Sequence, residues 1–425
     1  MKLYKPAALA LGTTLTVALL AGCAGSAEND AGGPITLSFQ AFANTTDGQT
    51  ANQAIVDAWN ENHPDIQIDL VLTPIDSVYE KLSTQAAGGT LPDIFMDDAQ
   101  DIRQYVEQGF VADLHDHLSE ETVDSIDEGV RGAVQIDDIL AGIPIEMQTY
   151  VVFANRGLIE ASGQEVPTGD SLSWDDLEAL ASATSSSGVH GLAWGLKSPT
   201  AAFVSLGLGF GAEYFSGEGG EAKLDVGAAE MDIPNRVKDM IEAGSLDPAG
   251  VSQSSADVLP TFYAGQAAML LQQSYHIANF ETDAPEGVDW VVLPPLEGSD
   301  GSQQAAIPST ISVSAESDHI EEAAQFLDFY MEAENLAELN LAEGLIPPTQ
   351  EGRDVLASLA ADKTGWGAVL QSGESLVPAP ASAATNYPGW KTTVATPAYQ
   401  QFLSGAIDEK QLKSQLVDGW NQTNR

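Results

Sequence analysis

The chain has a single cysteine, Cys23, among 425 residues. No internal disulfide is possible, so packing and hydrogen bonding must hold the fold. Basic residues are scarce as well: 16 Lys and Arg stand against 62 Asp and Glu, a formal net charge of −46. With no basic surface to meet phosphates, nucleic acid is excluded as a partner. Anionic lipid would repel the body of the protein for the same reason, and the acid excess reads as a solvated surface. The six histidines show no zinc pattern such as His-Glu-x-x-His. His115-Asp116-His117 is read as solvated surface. A Gly-x-Ser-x-Gly elbow and a Ser-x-x-Lys motif are both missing. Gly207-Leu208-Gly209-Phe210-Gly211 lacks the spacing and the preceding strand of a dinucleotide fingerprint. Paired carboxylates abound, but in so acidic a chain their pairing carries no glycosidase signal. No metal, no cofactor and no catalytic residues are expected.

Long apolar runs are also missing, except at the N-terminus. There Lys2 and Lys5 precede an apolar stretch over residues 7–20, followed by Leu20-Ala21-Gly22-Cys23. The arrangement resembles a bacterial lipoprotein signal, in which the cysteine receives lipid and becomes the first residue of the mature protein. Residues 1–22 are therefore read as the signal peptide and Cys23 as the lipidation site. Residues 23–33, rich in Gly, Ala, Ser, Asn and Asp, read as a flexible tether. The expected location is the cell membrane, on its extracytoplasmic face, with the bulk of the chain in water.

The chain does have apolar material for sizeable cores, at 44% of its residues. Its length suggests two domains. Residues 34–42 alternate apolar and polar as a strand. Ala51, Ala54, Ile55, Ala58 and Trp59 recur at helical spacing, and His63-Pro64 stops that helix. Residues 66–72 form a second strand, 76–87 a second helix and 94–96 a short buried strand. Strand, helix, strand, helix, strand argues for a parallel sheet covered on both faces. Ligands of such sheets bind at the carboxyl ends of the strands, which here are residues 42–47, 74–77 and 97–100. The run Gly142-Ile143-Pro144-Ile145-Glu146-Met147-Gln148-Thr149-Tyr150-Val151-Val152-Phe153-Ala154-Asn155 is polar in its middle and apolar in its second half. That mixture reads as a chain leaving one packed unit, lining an opening and entering another.

Several pieces occur together in one known family. Gly89-Thr90-Leu91-Pro92-Asp93-Ile94, the run from Ile143 with Ser173-Trp174-Asp175-Asp176-Leu177, Phe262-Tyr263-Ala264-Gly265-Gln266-Ala267-Ala268-Met269, Gln273-Ser274-Tyr275 and Glu322-Ala323-Ala324-Gln325-Phe326-Leu327 follow one another in order. Together they resemble the extracellular solute-binding proteins of ABC importers, in the branch that includes maltose-binding protein. Gln266 stands where that family commonly has Lys. The resemblance implies an α/β fold of two lobes, the type II periplasmic-binding-protein fold, each lobe a mostly parallel sheet flanked by helices. By resemblance the chain crosses between lobes near residues 148–149, 309–311 and 343–346. Lobe 1 is then residues 34–148 plus 311–344, and lobe 2 residues 149–310 plus 345–425, closing on a ligand by a hinge.

The resemblance also implies a carbohydrate ligand, an oligosaccharide, delivered to the permease subunits of an ABC transporter by a monomeric, lipid-anchored receptor. A sugar needs carboxylates and amides for its hydroxyls and aromatic faces for its rings. Residues at strand ends and crossings that could supply them are Asn44, Asp98, Glu146, Gln148, Trp194, Tyr275, Ser309, Thr310 and Trp390, with Asp97 and Tyr387 beside them. Trp59, Trp290 and Trp420 lie in periodic runs and read as core. An anionic solute such as a glycerol phosphate ester would want convergent Lys or Arg, and only Lys197 and Lys391 stand near a predicted strand end. A polyol or a phosphate ester is the alternative ligand. A secreted glycoside-acting enzyme is the alternative of a different class.

Overall fold

The computed structural model describes residues 33–136 and 138–424. The expected signal peptide, Cys23 and residues 24–32 lie outside the described residues. The first sheet opens with β1 (Ile35–Ala41), α1 (Thr46–Asn62), β2 (Ile66–Leu72), α2 (Ile75–Gly88) and β3 (Ile94–Asp98). Thr45 caps α1 by accepting the Gly48 N–H at 2.8 Å, and Gly89 closes α2 in the left-handed conformation that glycine adopts without strain. The three strands run parallel in the order β2-β1-β3. Two strands from far along the chain complete the sheet. Ser309–Val313 lies antiparallel to β3, and Ile143–Glu146 antiparallel to Ser309–Val313. Four strands therefore end, and one begins, at the same edge.

The second sheet has four strands. Tyr150–Asn155 lies between Trp290–Val292 and Ala267–Gln273, antiparallel to both, and His190–Trp194 runs parallel to Ala267–Gln273 at the far side. The run of residues 142–155 is thus two strands in two sheets, with residues 147–149 passing between them. Only three residues separate the strands, so the end of one sits beside the start of the other. Ser309 and Thr310, expected at the end of the second lobe, are paired in the first sheet. The Gly-rich run Gly207-Leu208-Gly209-Phe210-Gly211 begins at the end of the buried helix Thr200–Gly207.

Each sheet has its own aromatic packing. Phe39, Trp59, Phe326 and Tyr330 meet edge-to-face over the first. Phe153 stacks on Phe280 under the second, with centroids 4.2 Å apart. The opposite face of the second sheet, with Val152, Leu192, Met269 and Leu271, packs under the C-terminal helices around Trp390, Tyr399 and Trp420. Val151 and Phe153 belong instead to a cluster that continues through Ile346, Trp366 and Val369 into the first core. The helix Gln350–Leu359, expected with the second lobe, packs on Ala333–Glu343 beside the first sheet. The apolar material is therefore continuous where the chain crosses.

Candidate ligand-binding site

The carboxyl edge of the first sheet gathers three of the expected residues through strand register alone. Ser309 is paired with Asp98 on one side and Glu146 on the other. Neighbouring positions of this kind put side chains within reach of one another. Asp98 combines two properties that seldom coincide. Solvent reaches it, yet crowding by protein raises its pKa to about 6, with Asp101 adding to the rise and Lys391 opposing it. A carboxyl in a narrow opening has both properties. Lys391 comes from the chain beyond the second sheet, so Asp98 faces the gap between the two halves.

Glu146 is almost fully buried, with 2% of its surface exposed. Burial, then the charge of Glu343, hold its pKa well above the usual carboxylate range, against a hydrogen bond from Ser309. Glu343 is itself buried but accepts the Asn44 N–H at 2.8 Å and the Thr45 N–H at 3.3 Å. Burial raises the pKa of both carboxyls; the donors at Asn44 and Thr45 oppose the rise at Glu343, and the charge of Glu343 adds to it at Glu146. Asn44 itself is exposed at the end of β1.

Across the gap stands the edge of the second sheet. Tyr150 begins its strand half-buried, and its N–H and carbonyl are clamped by the amide of Gln304, at 2.7 and 3.0 Å. Tyr275 is half-buried beside it, and its hydroxyl lies 3.5 Å from Ser255. Gln148 lies in the crossing, half-buried, and its amide has no hydrogen-bond partner among the described residues. Thr149, the next residue, is fixed by Ser274 and by a 2.6 Å contact with Ser372. Asn44, Asp98, Gln148, Tyr275 and Ser309 are thus brought to facing edges, with Glu146 in the wall behind them.

Five expectations are corrected. Trp194 is 2% exposed and packs edge-to-face on Phe203, so no ring face is open to a ligand. Trp390 is fully buried, donates its indole N–H to the Leu416 carbonyl at 3.0 Å and packs on Phe215 and Trp420. Tyr387 is buried beside it. Thr310 is buried on the opposite face of its strand from Ser309, next to Asp97. Asp97 is buried there too, its pKa raised to about 8 by burial first, then by Asp101 and Asp98.

Tyr150, Gln304 and Glu343 were missed. Tyr150 could have been found as the polar-tipped aromatic at the head of an apolar run. Gln304 and Glu343 act through backbone groups distant in sequence and left no local signal.

Where the halves meet, Arg103 donates to the Ser382 carbonyl at 2.8 Å and Thr385 to Glu107 at 2.7 Å. A groove of about 350 Å³ lined by Ala99, Gln135 and Pro378 lies beside this contact. A larger groove of about 560 Å³, near Trp59, His63 and Glu332, lies on the outer face of the first half, away from the strand ends. Among the described residues no group of three His, Cys, Asp or Glu could hold a metal ion.

Residues 42–337 match the family described as bacterial extracellular solute-binding protein. The match covers well over half of the chain, and the chain belongs to that family, whose members bind a solute rather than transform it. It is 31% identical, over 94% of its own length and 88% of the relative's, to an uncharacterized lipoprotein of the oleD 5′ region in Streptomyces antibioticus. Among solved structures it resembles the cyclic α-maltosyl-1,6-maltose binding protein of Arthrobacter globiformis, with a TM-score of 0.79 at 18% identity, covering 92% of this chain and 99% of that one. It also resembles an ABC substrate-binding protein of Listeria monocytogenes in complex with cycloalternan, with a TM-score of 0.75 at 22% identity, covering 92% and 99%. The fold is the α/β periplasmic-binding-protein fold of these maltose-binding-like structures.

Proposed function

We propose that the protein captures a carbohydrate, specifically an oligosaccharide, between the two sheet edges and delivers it to the permease of an ABC importer. The observation that carries this reading is the row Asp98, Ser309 and Glu146 at one edge, facing Gln148, Tyr150 and Tyr275 at the other. Hydroxyl and carboxyl groups on one wall and half-buried tyrosine rings on the other suit a ligand with a polar rim and apolar ring faces. The cyclic maltosyl-maltose and cycloalternan of the structural relatives add support. The two sheets work as lobes joined at residues 147–149, at 307–308 and, in place of the expected 343–346, by the chain that follows the helix Gln350–Leu359, and closing them buries the ligand. The lipoprotein relative supports an anchor on Cys23.

A phosphate ester fits less well, because Lys391, the cation that acts on Asp98, is already offset by Asp98 and Asp101. A thermal-shift screen of the chain without residues 1–23 tests the reading. Oligosaccharides, polyols and phosphate esters form the panel. A ligand at about 100 times its Kd adds about 2.7 kcal/mol to the folded state. A shift with oligosaccharides supports the reading, and a shift only with a phosphate ester or a polyol replaces it.

A further inference from the structure

We infer that Glu343 and Gly344 form a positioning element that sets both walls of the ligand opening at once. The inference rests on the reading that the ligand lies between the two sheet edges.

Glu343 is fully buried. Its Oε2 accepts the Asn44 N–H at 2.8 Å. Its Oε1 accepts the Thr45 N–H at 3.3 Å and lies 3.2 Å from the Thr45 hydroxyl. That one carboxyl therefore fixes the turn after β1, which carries the exposed Asn44 side chain. The fit leaves no slack: a Cβ on Gly48 would lie 1.3 Å from Oε1, so only glycine at that position admits the carboxylate.

The next residue meets the other wall. Gly344 has φ 74°, and a Cβ there would lie 2.5 Å from the Tyr275 carbonyl oxygen. The backbone of Gly344 thus rests directly on the residue that presents the Tyr275 ring. Two residues later Ile346 exchanges backbone hydrogen bonds with Met147, the neighbour of Gln148. Three residues within a run of four, Glu343, Gly344 and Ile346, touch in turn the supports of Asn44, Tyr275 and Gln148. These are three of the five residues brought to the facing edges. A segment so short transmits displacement between walls without any long-range network.

Glu343→Gln keeps the volume and turns an amide toward two N–H donors, so it removes one acceptor and adds a clash of donors. Hydrogen exchange of the mature chain reads the positioning with no ligand present. We expect Glu343→Gln to speed exchange at residues 42–48, and to a smaller extent at residues 147–149, while the C-terminal helices stay protected. Titration with maltotetraose reads the consequence: at least a tenfold rise in Kd, with the folded fraction checked by melting. A merely structural residue would lower the melting temperature and leave the Kd of the folded protein unchanged, and that result overturns the inference. Unchanged exchange at residues 42–48 overturns it as well. Should wild type fail to bind any saccharide, the functional reading fails, while the exchange result still decides the positioning role. Gly344→Ala is the second variant. It should raise Kd through the Tyr275 wall with exchange at residues 42–48 close to wild type, and equal Kd values would overturn the inference.

Discussion

Met147 and Ile346 donate to each other's carbonyls, both at 2.9 Å, at the point where the chain passes from one sheet to the other. Both residues are buried. The pair ties the crossing at residues 147–149 to a stretch of the first half that is distant in sequence, and it fixes the backbone next to Gln148. A fixed backbone with a free amide on it is preorganised for a ligand.

Gln148→Ala should therefore weaken saccharide binding by about tenfold or more, since a lost hydrogen bond in a closed site is worth roughly 1–2 kcal/mol. Its melting temperature should stay close to wild type. Val152→Asp should do the reverse. Val152 is fully buried, and a carboxylate there has no partner. Calorimetric titration and thermal melting of the two variants check the contrast.

Glu146 was expected to behave like Gln148, but its burial changes the expectation. Burial and the charge of Glu343 favour the protonated form of its carboxyl, and Gln matches that form in size and in carrying both a donor and an acceptor. Stability at neutral pH should change by less than about 1 kcal/mol. Glu146→Ala leaves a void and the Ser309 hydroxyl unpaired, at a cost of roughly 2–4 kcal/mol. Urea unfolding of both variants distinguishes the cases.

Trp390→Phe should lower stability by about 1–3 kcal/mol, through the lost bond to Leu416 and the lost volume. Binding by the folded protein should be unaffected, because the ring faces only Phe215, Tyr387 and Trp420. A change in saccharide affinity would return Trp390 to the site.

Asp97 gives a pH dependence. Its pKa is raised from the ordinary value to about 8 by burial, Asp101 and Asp98. In the folded protein it keeps its proton at pH values where the unfolded chain has lost it. Its contribution to stability is thus present in full below about pH 4 and is lost as pH rises toward 8. Relief of general acidic repulsion acts in the same direction, so the comparison with Asp97→Asn isolates the residue. The variant should gain on wild type between pH 5 and 8, by on the order of a few kcal/mol. Melting curves across that range are the check, and parallel curves would contradict the assignment.

The first strand was legible because apolar and polar residues alternate over residues 34–42. The stop at His63-Pro64 was legible because its chemistry is local. The crossing at residues 147–149 was visible as misplaced polarity. What sequence could not show was depth. Trp194 and Trp390 stand beside glycine or proline, as loop aromatics do, and only the folded chain reveals Phe203 and Trp420 closing over them. Thr310 follows Ser309, and the alternation of a strand sends the two to opposite faces. Glu343 and Gln304 serve backbone groups 299 and 154 residues away, and no spacing rule reaches that far.

The most direct test of a carbohydrate site between the two sheet edges is isothermal titration of a series of linear and cyclic gluco-oligosaccharides into wild type, Asp98→Asn and Gln148→Ala. Saturable binding at one site by wild type, weakened in both variants with their folding intact, is the predicted result. Binding of equal strength in all three proteins would contradict the site, and no binding of any saccharide alongside saturable binding of a phosphate ester would contradict the function.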